Sequence, residues 1–298
     1  MATRLGGATL IGFFFRMLER LGVHLTPNHY HFPIPDTSRL PESTWTRSSD
    51  LPGVHLDEVE QLTLIDRLSA AYGSEMAALP RRASGSRNGF HLDNGHFETV
   101  DAEIYFGLIR ERAPRRILEI GSGYSTRLAL IALEKNRREG KPGGITLCDP
   151  RPPGWARAGS DGIDRIIASP VQELPLREFT ALEPSDILFI DSTHVLAIGS
   201  DVQYLFLDVL PRLGPGVLVH VHDIFFPQEY PRYWVRDRLR FWNEQYVLQA
   251  FLAFNTRFRV VWASHWMAVR HPERVARAIP SFEPGKSPGS FWMERVRD

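Results

Sequence analysis

The chain has little that would cross-link it or draw it to a charged partner. Among its 298 residues there is a single cysteine, Cys148, which excludes an internal disulfide and a zinc site built from several cysteines. Thirty-five basic residues balance thirty-five acidic ones, whereas a nucleic-acid-binding surface usually shows a basic excess. These absences favour a reduced, cytoplasmic protein that does not bind nucleic acid.

Long apolar runs are also missing. An apolar segment near the N-terminus, ATLIGFFF at residues 8–15, is followed by Arg16, Glu19 and Arg20 and is far shorter than the roughly 20 residues of a membrane-spanning helix. No small-residue cleavage pattern follows it, so we expect neither a signal peptide nor a membrane span. We interpret residues 8–21 as a helix that docks on the domain or pairs two copies of the chain, and we expect a homodimer. Attachment to a membrane surface is the alternative.

Residues 1–84 are interpreted as an extension ahead of a main domain at residues 85–298. After the apolar helix, residues 26–53 are rich in Pro, Ser and Thr, which is typical of an extended arm. A helical segment follows the arm. Near its start the main domain has an amphipathic helix, predicted over 101–114, with Asp101 as its N-cap.

From Arg115 onward, short apolar strands alternate with helices. Strands are predicted at residues 115–121, 144–150, 164–170, 186–194, 216–225, 258–264 and 290–296. One long helix, at about 236–254, is predicted between the fifth and sixth of them. Continuous apolar strands separated by helices are typical of a parallel sheet that is covered on both faces. The predicted fold class is therefore α/β, a doubly wound and mostly parallel sheet with a helical and loop-rich N-terminal extension.

The first strand ends in a glycine turn, LEIGSGYST at residues 118–126. Gly121 and Gly123 let the backbone turn sharply and approach a ligand at the N-terminus of the next helix. A dinucleotide-binding fingerprint would have a third glycine where Thr126 stands. Glu119 lies two residues before the first glycine, where its carboxylate would repel a pyrophosphate but would suit a sulfonium cation with an amino-acid tail. The turn therefore favours S-adenosyl-L-methionine over NAD or a nucleotide sugar.

The second predicted strand also ends in a carboxylate. Asp149 stands where an acid can bind both ribose hydroxyls of an adenosine. A G-x-G turn alone is weak evidence for a ligand, because many tight turns contain it. With Glu119 and Asp149 each at the end of a strand, the pattern predicts an S-adenosyl-L-methionine site.

These motifs resemble the class I S-adenosylmethionine-dependent methyltransferases, and within them a bacterial group with a methyltransferase domain of this type. The resemblance covers about residues 85–264 and includes NGFHLDNGHFETVDAE, ILEIGSGYST, LFIDSTHV, GSDV and VHDIFFPQEYP. It implies a seven-stranded, Rossmann-like sheet whose last strand runs antiparallel, for which residues 290–296 are the candidate. It also implies that the cofactor is contacted by residues near the strand ends: Glu119, Gly121, Ser122, Gly123, Asp149, Val171, Gln172 and Asp191.

Several polar side chains follow the fourth and fifth predicted strands. Ligands of a doubly wound sheet bind outside the carboxyl ends of its strands, near the switch point. We expect strands one, four and five to be neighbours, which brings Asp191 and His194 beside His222 and Asp223. Because side chains alternate along a strand, His222 and His220 share one face and Asp223 takes the other. His220 lies one pleat inward and is interpreted as a hydrogen-bonded core histidine.

His222 is the candidate general base, with Asp191 and Asp223 beside it. An unperturbed imidazole titrates near a pH of about 6.5, which suits proton removal close to neutral pH. The structural alternative is that His222 only braces the loop 224–234.

A divalent-metal site is a second hypothesis for the same strand ends. Asp191, His194, His222 and Asp223 would be its ligands, and the mixed nitrogen and oxygen donors favour iron, zinc, manganese or cobalt at least as much as magnesium. The predicted function is transfer of a methyl group from S-adenosyl-L-methionine to oxygen, nitrogen or an activated carbon of a small molecule. The alternatives are a metal-dependent oxygenase and a non-catalytic cofactor-binding protein on the same scaffold.

Overall fold

The order of the strands decides which side chains meet at the edge of the sheet. The structure is a computed structural model that describes residues 2–83, 89–157, 159 and 162–296, with side chains from residue 11 onward. Its strands are β1 (Arg116–Ile120), β2 (Gly144–Cys148), β3 (Ile163–Ile167), β4 (Ile187–Ile190), β5 (Leu218–Val221), β6 (Phe258–Ala263) and β7 (Phe291–Arg295). They form one seven-stranded sheet in the order β3-β2-β1-β4-β5-β7-β6.

The sheet confirms the predicted doubly wound topology. The strands β1 to β5 pair in parallel, and β7 pairs antiparallel with both β5 and β6. The antiparallel C-terminal strand implied by the resemblance is therefore present. The pairs β1–β4 and β4–β5 place the ends of three strands side by side, as predicted.

The helices are α1 (Ala2–Glu19), α2 (Ser43–Thr46), α3 (Glu58–Ala77), α4 (Asp101–Arg112), α5 (Tyr124–Arg138), α6 (Leu176–Thr180), α7 (Asp201–Tyr204), α8 (Arg232–Arg236), α9 (Glu244–Leu252), α10 (Ser264–Arg270) and α11 (Pro272–Ala278). Both faces of the sheet are covered, and each face has its own hydrophobic core. Successive buried residues of β4 belong to opposite cores: Ile187 and Phe189 to one, Leu188 and Ile190 to the other. This alternation explains why the strand is apolar throughout, because both of its faces are buried.

Two compact units divide the chain: Met1–Thr46 with Pro231–Phe241, and Arg47–Tyr230 with Trp242–Asp298. The boundary predicted between residues 84 and 85 lies outside the described residues, which omit 84–88. The sheet belongs wholly to the larger unit.

The predicted helix over about 236–254 is wrong. The chain instead forms α8 in the smaller unit and α9 in the larger, with a non-helical stretch between them. Leu239, in that stretch, has a left-handed backbone (φ 54°), which a continuous right-handed helix cannot contain. The side chain of Asn243 accepts a hydrogen bond from the backbone N–H of Leu196 at 2.6 Å, so α9 begins where a distant loop meets it.

The prediction of Asp101 as an N-cap is also wrong. Val100 holds the cap position of α4, and its N–H donates to the carboxylate of Glu103 at 2.9 Å. Asp101 is the first residue of the helix, and its buried carboxylate accepts hydrogen bonds from the N–H groups of Gly289 and Ser290 at 2.8 and 2.9 Å. It therefore ties α4 to the segment that enters β7.

In the smaller unit, α8 is joined to the N-terminal arm by charged and aromatic contacts. Arg232 and Arg236 both donate to the carboxylate of Glu42 at 3.2 Å, and the guanidinium of Arg236 lies over the ring of Trp45 at 5.8 Å. The predicted N-terminal helix is present as α1. In the described part of the chain, no helix is both long and apolar enough to cross a membrane.

Candidate functional site

The two glycines of the turn after β1 serve different purposes. Gly121 has a left-handed backbone (φ +83°), and a Cβ added to it would lie 2.3 Å from the carbonyl oxygen of Asp191. Gly123 is extended (φ −179°), and nothing lies within 4 Å of the position of its missing Cβ. Thr126 replaces the third glycine of a dinucleotide fingerprint, and its hydroxyl accepts the N–H of Gly123 at 3.0 Å. The fold requires glycine at 121, whereas the space at 123 is open to a ligand.

A cavity of about 340 Å³ lies at the carboxyl ends of β1, β2 and β4. It is lined by Ile120, Gly121, Cys148, Asp149, Pro150, Pro170, Val171, Gln172, Asp191, Ser192, Thr193, Ser200 and Asp201. Five of the residues predicted to contact the cofactor therefore share one cavity: Gly121, Asp149, Val171, Gln172 and Asp191. Ser122 adjoins it through Asp149.

Local hydrogen bonds fix the walls of this cavity. The hydroxyl of Ser122 donates to one carboxylate oxygen of Asp149 at 2.5 Å, and the N–H of Arg151 donates to the other at 2.8 Å. On the opposite wall, the side chain of Gln172 donates to the carbonyl of Gly199 at 2.9 Å. Each carboxylate oxygen keeps a second lone pair, so Asp149 can still accept from a ligand.

Glu119 lies at the end of β1, fully buried beneath the glycine turn. Its Oε1 accepts a hydrogen bond from the hydroxyl of Ser125 at 2.5 Å, while its Oε2 has no hydrogen-bond partner among the described residues. Burial raises the pKa of Glu119 to about 8, although the hydroxyl of Ser125 partly offsets the effect. The carboxyl is thus mainly neutral near pH 7, and a nearby cation would favour its ionised form.

The polar side chains that follow β4 and β5 converge, as predicted, but not by strand alternation. His222 continues the pairing of β5, because its N–H donates to the carbonyl of Ile190 at 3.0 Å. Asp223 then takes a left-handed backbone (φ 58°), and its Oδ1 lies 3.7 Å from Nε2 of His222. The prediction that Asp223 faces the other side of the sheet is wrong, since the alternation ends one residue earlier.

His194 lies at the centre of this cluster. Its Nε2 is 3.4 Å from a carboxylate oxygen of Asp191 and 3.6 Å from one of Asp223, and its Nδ1 is 2.8 Å from Oε2 of Glu244. Glu244 is fully buried and also accepts the hydroxyl of Ser192 at 3.1 Å. Glu244 was not identified from the sequence, because the helix predicted over about 236–254 placed it in the middle of a helix. In the structure it is the first residue of α9.

The cluster shifts the pKa values of its members. Burial lowers the pKa of His194, but hydrogen bonds to Asp191 and Glu244 outweigh burial and hold it well above the usual range. For Asp191, burial opposes ionisation, while the hydrogen bond to His194 and the charges of the histidines lower its pKa to about 2. The pKa of His222 is raised, because the charges of Asp223 and Asp191 exceed the cost of burial. Burial raises the pKa of Asp223.

His220 is structural, as predicted. It is fully buried, its Nε2 is 2.8 Å from the hydroxyl of Ser290, and its ring stacks on Phe189 with the ring centres 3.8 Å apart. Burial first, and then the charge of His222, keep the pKa of His220 well below the usual value. It is therefore a neutral core residue one pleat inside the cluster.

The arrangement does not support the predicted metal site. Within the described ranges, no group of three or more His, Cys, Asp or Glu side chains is arranged to hold a metal ion. The donor set gives a reason: both ring nitrogens of His194 face carboxylates, and its raised pKa favours a proton on each of them. A protonated nitrogen has no lone pair for a metal.

Three comparisons connect this chain to known proteins. Residues 118–224 match the family described as methyltransferase domain. An uncharacterized protein of Archaeoglobus fulgidus is 30% identical over an alignment of 180 residues, and the match covers 57% of this chain and 78% of that protein. The solved O-methyltransferase from Bacillus cereus in complex with SAH is 15% identical over 79% of this chain and 91% of its own, with a TM-score of 0.35. The MycE methyltransferase from the mycinamycin biosynthetic pathway, in complex with Mg and SAH, is 17% identical over 78% of this chain and 54% of its own, with a TM-score of 0.39.

The two glycines should respond differently to alanine. Gly121→Ala should lower the free energy of unfolding by more than about 1 kcal/mol, because it adds a Cβ to a left-handed residue against a backbone carbonyl. Gly123→Ala should change it by less than about 1 kcal/mol, since the backbone there is extended and the space is open. Urea denaturation followed by circular dichroism measures both, and equal losses would contradict the distinction.

Proposed function

Because the chain belongs to the class I S-adenosylmethionine-dependent methyltransferases, we propose that it binds S-adenosyl-L-methionine in the cavity beside Gly121 and Asp149 and methylates a small molecule. The residues that line the cavity would suit the ribose and the adenine of this cofactor. Asp149 would accept from the ribose hydroxyls, and Val171 and Gln172 would lie beside the adenine. The extension, residues 1–84, and the methyltransferase domain, residues 85–298, are part of the same proposal.

The unpartnered oxygen of Glu119 is the observation that carries the proposal. A buried carboxyl oxygen without a hydrogen-bond donor is costly, so such groups are rare unless a ligand supplies the partner. The cofactor carries an ammonium and a sulfonium, and either charge would favour the ionised carboxylate. The glycine turn above Glu119 leaves room for close approach at Gly123.

The acid and histidine cluster supports a reaction in which the acceptor loses a proton. An acceptor hydroxyl would attack the methyl carbon as the carbon–sulfur bond breaks, and the bonding pair would stay on sulfur. The proton would pass from the hydroxyl to His222, whose positive charge Asp223 would stabilise at 3.7 Å. Aromatic rings beside the cluster, Phe97 at 5.3 Å from His222 and Trp242 at 4.2 Å from His194, suit a small organic acceptor.

Glu119→Gln tests the cofactor site, because stability and affinity should change in opposite directions. With its pKa raised to about 8, Glu119 takes up a proton on folding, so its contribution to stability falls as pH rises from its ordinary value toward 8. At pH 8 the neutral glutamine should raise the free energy of unfolding, by on the order of 2–4 kcal/mol. It should weaken S-adenosylhomocysteine binding by roughly 10-fold or more, through the lost charge-assisted contact.

Calorimetric titration with S-adenosylhomocysteine and urea denaturation give the two readouts. Glu103→Gln is the matched control, since Glu103 is also buried with a pKa raised to about 7 by burial, but it caps α4. It should leave the affinity unchanged. Wild-type protein that fails to bind S-adenosylhomocysteine would refute the proposal, and unchanged affinity in Glu119→Gln would refute the role of Glu119.

His222→Ala tests the proposed base. Turnover of labelled S-adenosyl-L-methionine with a panel of hydroxylated small molecules should fall by roughly 10²–10⁴-fold, while cofactor affinity stays nearly constant. In the wild type, turnover should rise with pH and level off above the raised pKa of His222, because only the neutral imidazole accepts a proton. His220→Ala should reduce stability and leave the turnover of the folded fraction unchanged. Full activity in His222→Ala would remove His222 from the mechanism.

We also propose a reduced, cytoplasmic homodimer that pairs through α1. Phe13, Phe14 and Met17 leave 63%, 41% and 43% of their surface exposed on that helix, which is unusual for a helix without a partner. Light scattering should give about twice the chain mass of 34.0 kDa, and a Phe13→Ser, Phe14→Ser variant should give one chain mass. Phe254→Ser is the control, because Phe254 is 85% exposed outside α1. A monomeric wild type would rule out this pairing.

A further inference from the structure

The loop that follows β4 is clamped to the first turn of α9 through its backbone. The carbonyl of His194 accepts the N–H groups of Asn243 and Glu244 at 3.0 and 3.2 Å. In return, the side chain of Asn243 accepts the N–H of Leu196 at 2.6 Å. Each segment thus satisfies polar groups of the other, so the position of His194 depends on where α9 begins.

The imidazole of His194 is clamped as well. Glu244 accepts from or donates to its Nδ1 at 2.8 Å, and the ring of Trp242 lies 4.2 Å from its centre. The His194 side chain is only 6% exposed. Because Glu244 holds Nδ1, the other ring nitrogen, Nε2, faces the carboxylates of Asp191 and Asp223.

His194 also faces three carboxyl groups, and each of them comes from a different part of the fold. Asp191 follows β4, Asp223 follows β5, and Glu244 is the first residue of α9. His222 is a further titratable group that interacts with His194. Acids packed this closely are unfavourable unless a cation is shared among them. In this protein the imidazole of His194 lies between the acids.

We propose that Glu244 holds His194 as the resident cation of this cluster, so that the protein needs no divalent ion at these strand ends. His194 is then a positioning residue: it keeps Asp191 ionised at the wall of the cavity and leaves His222 free to take the acceptor's proton. An acceptor would have to present a single hydroxyl to His222 and would not need two oxygens to chelate a metal. This use of the cluster depends on the proposed methyl transfer, whereas the charge of His194 does not.

Nuclear magnetic resonance of ¹⁵N-histidine-labelled full-length protein measures that charge directly. The His194 signals, assigned by their loss in His194→Gln, should show both ring nitrogens protonated at pH 7 and remain so above the midpoint of a free histidine. In Glu244→Gln the titration midpoint of His194 should fall by about one pH unit or more. Glu229→Gln is the matched control: Glu229 bonds Tyr246 of the same helix at 2.5 Å, and its loss should leave the midpoint in place.

Titration with Mn²⁺ tests the second half of the proposal on the wild-type protein. We expect no saturable binding below about 1 mM and no selective broadening of the His194 signals. A neutral His194 at pH 7, an unshifted midpoint in folded Glu244→Gln, or stoichiometric Mn²⁺ binding that broadens His194 would each overturn the proposal. The wild-type spectra and the Mn²⁺ titration remain decisive if Glu244→Gln does not fold. Failure of S-adenosylhomocysteine binding would refute the proposed function while these measurements still report on His194.

Discussion

The side-by-side pairing of β1, β4 and β5 is the constraint on which the site depends. Their parallel register brings the ends of three strands to one edge, so that Glu119, Asp191 and His222 lie close together although they are distant in sequence. Parallel strands buried on both faces are mainly apolar along their length. The chemistry of the chain is therefore concentrated at that edge, where the buried sheet meets the loops.

The ionisable groups at these strand ends are therefore largely buried from solvent. Glu119 and Asp223 both have pKa values raised by burial, and Asp223 adopts a left-handed backbone. Such features reduce stability unless a ligand or a neighbouring charge compensates for them. Asp101 differs from Glu119 and Asp223, because both of its carboxylate oxygens accept backbone N–H groups. Stability is thus supplied by the two cores and lost at the strand ends.

Much of this arrangement could be predicted from the sequence, because it follows from local apolar runs. All seven strands lie within or beside the predicted apolar runs, and β1, β2, β4 and β5 are followed directly by Gly, Asp or His. The topology then makes Asp191, His194, His222 and Asp223 neighbours. The residues that were misjudged depend on distant contacts. The start of α9 is set by the loop at Leu196, and Asp101 bonds a segment nearly two hundred residues away. No local sequence pattern encodes either contact. Glu244 could not be identified from the sequence for the same reason, because it is the first residue of α9.

Asp191 belongs to both parts of the site, since it lines the cavity and lies 3.4 Å from His194. Its backbone carbonyl also lies against Gly121. A molecule in the cavity that contacts the Asp191 carboxylate would share it with the proton on the imidazole, and thermodynamic linkage would make their effects reciprocal. If occupancy of the cavity changes the proton affinity of His194, then pH must change the affinity of the cavity by the same factor. The protonation of His194 and the filling of this cavity would then be coupled through a single side chain.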